Sequence, residues 1–121
     1  MAEWSWNTQS NILTALSVAD YAKAAEIADT SLGNKSLSAE GCKEENANKP
    51  AMSKLPASIH EMAKFMPPDM RKMGQNMHNS ASDFAVEARK ASSTGDVKAV
   101  LAALSRVTQS CNACHSSYRV R

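Results

Sequence analysis

Three side chains able to bind metal or form covalent bonds crowd the end of this chain: Cys111, Cys114 and His115, in the run CNACHSSYRVR. On a helix, residues i, i+3 and i+4 share a face, with Cβ atoms about 5–6 Å apart. Two thiols so placed can each add to one vinyl group of a porphyrin. The imidazole beside the second thiol is then aimed at the iron as its proximal ligand. C-x-x-C-H is the signature of that covalent haem attachment. The order matters, because a histidine before the pair would not be held to the ring in the same way.

Other chemistries fit the residues less well. A zinc site needs four ligands, and only Cys42, His60 and His78 are left to complete one. A redox dithiol belongs near the strand–helix junction of a βαβ pattern, which the chain lacks. The plainest reading is a helix end that merely carries two Cys and a His, and the explicit motif outweighs it. Only six of the 121 residues are Phe, Trp or Tyr although 43% are hydrophobic, so a porphyrin would supply bulk that the core lacks.

The remaining composition bounds the class. One domain suits 121 residues, and the scarcity of Gly, Pro and β-branched runs favours helices. A net charge of +2 with no dense basic run gives no argument for nucleic acid. No apolar run reaches the length of a membrane span. Bacterial haem of this attached kind is assembled outside the cytoplasm, so the motif implies a periplasmic chain, although MAEWSWNTQS lacks a signal-peptide pattern. No nucleophile–base constellation argues for an enzyme.

The elements that must position the motif are helical. Residues 8–29 read as one Ala-rich helix with Ile12, Leu16 and Ala19 on its apolar side and a stop at Leu32-Gly33-Asn34. The polar stretch 34–54 reads as a long surface connection carrying Cys42 as an exposed thiol, able to join two subunits. A short helix spans Pro56 to Phe65. Pro67-Pro68-Asp69 starts a third, with Met70, Met73, Met77, Ala81, Phe84, Ala88 and Ala91 on one stripe and its end near SSTG. Gly95-Asp96 opens a fourth, where Val97, Val100, Leu101, Leu104 and Val107 lead into the motif. An all-α antiparallel four-helix bundle is the expected fold. Trp4 and Trp6 are expected to precede the first helix as a plug for one end of the bundle.

Ordinary small cytochromes c carry C-x-x-C-H near the N-terminus. With the motif at the end of four helices, this chain resembles the class II c-type cytochromes, the cytochrome c′ and c-556 group. The resemblance implies one haem c bound through Cys111 and Cys114, with His115 as the iron ligand, and Arg119 near the imidazole and the haem edge. It also places an Arg-Gln pair early in the first helix, with the distal residue three after the Gln. Here the pair reads Thr8-Gln9, so the Arg is missing and Ile12 takes the distal position, with Leu13 or Leu16 the alternatives under a shift of register.

That distal residue decides function in the family. A Met on the iron gives a low-spin electron carrier, whereas an apolar residue leaves five-coordinate iron open to small gases. No methionine lies between Met1 and Met52, so the expectation is high-spin, five-coordinate iron in a single-electron carrier, with a module binding nitric oxide or carbon monoxide as the alternative. Met62, Met66, Met70, Met73 and Met77 read as flexible core filler and His60 and His78 as surface or helix-edge side chains, though each is a chemically competent sixth ligand. Arg106, Arg119 and Arg121 form a basic tail that reads as solvated surface. The resemblance further implies a redox partner protein and a homodimer through the first two helices.

Overall fold

The computed structural model describes residues 2–43 and 57–118, with the side chains of 6–43, 57, 59, 61 and 63–118. These residues are all-α: α1 (Ala2–Ser17), α2 (Tyr21–Ser31), α3 (Leu37–Cys42), α4 (Ala57–Phe65), α5 (Pro68–Thr94) and α6 (Val97–Ser117). Helices α1, α2, α5 and α6 make the four-helix bundle, and α3 and α4 pack on each other with α3 against α5. Among the described residues, no helix is long and apolar enough to cross a membrane.

Stretch 8–29 is two helices, not one. α1 ends at Ser17 with Asp20 N–H donating to the Ala15 carbonyl at 2.9 Å and Ala19 N–H to the Leu16 carbonyl at 3.0 Å. That pair of bonds is a Schellman closure, whose turning residue must be left-handed. The turning residue is Ala19, with φ +56°. Glycine is the usual occupant, so the break carries no glycine signal and the Ala-rich pattern reads straight through it. Asp20 then caps α2 by accepting from Lys23 N–H at 3.2 Å. A left-handed L-residue costs about 1–2 kcal/mol, partly offset in glycine by its greater unfolded-state entropy. Ala19→Gly is therefore expected to stabilise the protein by about 1 kcal/mol, raising Tm by about 3–5 °C in a thermal melt.

The other ends follow their sequence signals. Pro68 opens α5, and Gly95 (φ +69°) closes it by donating to the Ala91 carbonyl. Asp96 caps α6 through Ala99 N–H at 3.2 Å. The core is Ile12 and Ala15 from α1, an alanine stripe and Leu32 from the α2 segment, Ala81, Phe84, Ala85, Ala88 and Ala91 from α5, and Val100, Ala103 and Val107 from α6. Most of these are alanines, so helices approach closely around one large ring, Phe84. Val97 and Leu101 are exposed, off the apolar stripe expected of them. Trp6 lies inside α1 and is 74% exposed, so it plugs nothing; Trp4 also falls within α1, its side chain outside the described residues.

Two polar anchors tie the layers together. Asp29, buried on α2, accepts from Ser82 Oγ at 3.0 Å and pairs with Lys35 at 3.2 Å and Arg89 at 3.6 Å. His78 is 3% exposed and hydrogen-bonds the Leu32 carbonyl through Nδ1, which corrects its reading as a surface residue. Burial lowers the His78 pKa below its ordinary 6.5, with the Leu32 bond acting the other way. A depressed folded pKa means that its contribution is complete above pH 6.5 and is lost as pH falls toward the folded value. Urea unfolding at pH 7.5 and pH 5 is expected to show a loss of stability that His78→Gln reduces, the slope per titrating group being at most about 1.4 kcal/mol per pH unit.

Candidate functional site

The buried stripe of α6 passes through Val100, Ala103 and Val107 and continues into Cys111 and Cys114. Both thiols are half-buried, and Cys111 packs against the hydrophobic core. Burial pushes the Cys114 thiol pKa up. His115, one residue on, turns to the exposed flank of the same helix end, and Tyr118 caps α6 by donating its backbone N–H to the Cys114 carbonyl at 2.9 Å. Arg119 and Arg121 lie outside the described residues.

The helix register says what stands beside this motif. α5 and α6 are joined at Gly95-Asp96, and Ser80 Oγ lies 3.4 Å from Ser110 Oγ. Stepping in opposite directions from that pair brings Met73, Gly74 and Met77 to the level of residues 113–117. Met73 and Met77 are half-buried at that level, Met70 is half-buried a turn before them, and Met66 is half-buried ahead of α5. His60 and Met62 sit in α4, with side chains outside the described residues.

The α1 candidates stand elsewhere. Ile12 is 1% exposed and packs in the core, Gln9 and Leu16 are half-buried, and Leu13 is 52% exposed, which removes it as an inward-facing alternative. The α1–α2 hairpin closes at Val18–Asp20, which puts Ile12 near the level of Ala25. The Asp29–Ser82 and Ser80–Ser110 contacts carry that level across to about Ser105 on α6. At 1.5 Å per residue, Ile12 lies roughly 15 Å along the bundle from His115. Gln9 and the buried Thr8 lie nearer the motif, and Leu16 lies farther from it.

Cys42 is the largest surprise. It ends α3 and is 4% exposed, not a surface loop thiol. Its Sγ rests over Gly74, where an added Cβ would fall 2.6 Å away. Gln75 Nε2 donates to its carbonyl at 2.9 Å. Burial pushes the Cys42 pKa up most, with Arg71 lowering it and the Cys114 thiol raising it further. Arg71, itself 7% exposed, donates to the carbonyls of Gly41 (2.7 Å) and Ala63 (2.8 Å) and so fastens α3 and α4 to α5. One hint of this is legible in the chain, an isolated glycine at position 74 inside a helical pattern, which marks a close approach.

The donor set fits a covalently held haem: two partly sheltered thiols on one face, an imidazole on the adjoining flank, and soft methionine side chains alongside. Among the described residues no three His, Cys, Asp or Glu side chains converge on a metal site, so zinc gains no support. The cytochrome C′ family model matches residues 20–119. The chain belongs to the cytochrome c′ family. Membership implies covalently bound haem c and a role in electron transfer or gas binding. The matched span covers α2 through α6 and the C-x-x-C-H motif, whereas α1, with Gln9, Ile12 and Leu16, precedes it. No curated protein and no solved structure matches the chain.

Proposed function

We propose that this cytochrome c′-family chain is a periplasmic single-electron carrier holding one haem through thioethers at Cys111 and Cys114, with His115 on the iron. The observation that carries the reading is the α6 stripe, on which both thiols continue the core face while His115 is left available beside them. The bound haem supplies a one-electron iron couple. The chain's own residues tether it, shelter it behind Met73 and Met77 and set its potential through ligand, burial and nearby dipoles. The proposed role is electron transfer without catalysis, and the proposed partner is a redox protein.

The proposed iron is five-coordinate and high-spin. Support comes from Thr8 and Gln9, the buried and half-buried α1 side chains that stand nearest the level of the motif among the described residues, neither of which offers a thioether or an imidazole. The same observation favours a second use, binding nitric oxide or carbon monoxide on the open side. Electron paramagnetic resonance of the oxidised holoprotein tests the spin state, and a high-spin signal is expected. A low-spin signal with the long-wavelength band of Met-bound ferric haem would reject it and move the sixth ligand to α5, where Met73 and Met77 lie at the level of the motif. Rapid carbon monoxide binding by the reduced form would favour the gas-binding use.

A further inference from the structure

The third cysteine lies outside the C-x-x-C-H motif, yet it is buried against the turn of α5 that stands level with Cys114. We propose that in the haem-free chain Cys42 and Cys114 are a disulfide-forming pair, so that the third thiol competes with the porphyrin for Cys114.

Two elements bring them together. Cys42 is fixed from α3, with its Sγ over Gly74 and its carbonyl held by Gln75. Cys114 comes from α6: the Ser80–Ser110 contact, four residues back along one helix and four on along the other, sets it beside Gln75–Met77. Both thiols therefore flank the same turn of α5. Arg71 holds α3 in this place through the Gly41 and Lys43 carbonyls.

The rival pairing is less favourable in the folded chain. Cys111 and Cys114 share one helix, where Cβ atoms three residues apart stand about 5–6 Å from each other. A disulfide needs about 3.5–4.5 Å, so that bond would distort the last turns of α6. Cys42 belongs to α3, so its link to Cys114 does not have to close within a single helix.

The chemistry is thiol–disulfide exchange with a small disulfide such as oxidised glutathione. The thiolate of Cys114, the more exposed partner, attacks the external disulfide and releases one glutathione thiolate. The Cys42 thiolate then attacks the Cys114 sulfur of the mixed disulfide and releases the second. Two thiol protons leave, two electrons pass to the external disulfide, and one protein S–S bond forms. Cys114 is then unable to add to a vinyl group, so attachment requires reduction first. This consequence rests on the haem reading above; the pair itself is a property of the chain.

The test uses full-length chain made without haem, equilibrated in a glutathione redox buffer, alkylated and mapped by peptide mass spectrometry. A predominant Cys42–Cys114 link with Cys111 alkylated is expected. Three alkylated cysteines, a mixture of links, or a dominant Cys111–Cys114 link would overturn the proposal. Cys111→Ser provides a second reading, in which both remaining thiols should disappear from a thiol titration; retention of two would also overturn it. Haem content of the same chain after reduction and exposure to an attaching host separates the two ideas, since a chain that forms the link but never acquires haem sinks only the haem reading.

Discussion

His115→Ala in the haem-loaded protein is expected to change the iron without releasing the pigment. The two thioethers do not depend on the imidazole, so colour should stay with the polypeptide in acidified organic solvent. The proximal bond does depend on it, so the Soret band and the ferric resonance spectrum should both shift. His115 sits at the exposed flank of α6, which leaves space for a small replacement base. Millimolar imidazole should therefore restore most of the original spectrum. An unaltered spectrum in the variant would show that another residue holds the iron. His78 is a poor substitute, because burial and its bond to the Leu32 carbonyl already commit that ring to joining α2 and α5.

Cys114→Ala is expected to leave a singly tethered haem. The remaining link, through Cys111, emerges from the side of α6 that packs on the core. The haem would stay attached but turn about a single bond. Removal of a covalent cross-link of this kind destabilises by about 2–4 kcal/mol, the scale known for disulfides. Guanidinium unfolding of the holoprotein measures the loss, and the reduced-state spectrum should carry the signature of one unreacted vinyl group. The double variant Cys111→Ala, Cys114→Ala should lose its colour completely on extraction. Normal haem content and stability in Cys114→Ala would contradict two-point anchoring.

Much of the architecture was legible because the physical signals were local. Pro67-Pro68-Asp69, Gly95-Asp96 and the 3.6-residue stripe of α5 mark ends and faces that the structure reproduces. The motif was legible for the same reason, since its chemistry is written in five consecutive residues. What escaped was written in tertiary contacts. The α1–α2 turn closes on an alanine in a glycine's conformation, so composition concealed it. The polar stretch around Cys42 read as solvated loop, yet Ser36 caps a one-and-a-half-turn helix by accepting from Ala39 N–H, and Arg71 pins that helix from 30 residues away. His78 was hidden by a polar neighbour, Asn79, which faces solvent one position on. The distal side of the iron is the least legible part, because helix spacing alone does not reveal how far along the bundle Ile12 stands from His115.

Every expectation above about the iron depends on covalent attachment of a porphyrin to α6. Intact-mass spectrometry of the protein from a host competent in haem attachment, taken before and after extraction with acidified acetone, tests it most directly. One haem added to the polypeptide mass and retained through extraction is expected, with the modified residues mapping to Cys111 and Cys114. A polypeptide of unmodified mass, or one whose colour passes wholly into the solvent, would contradict it.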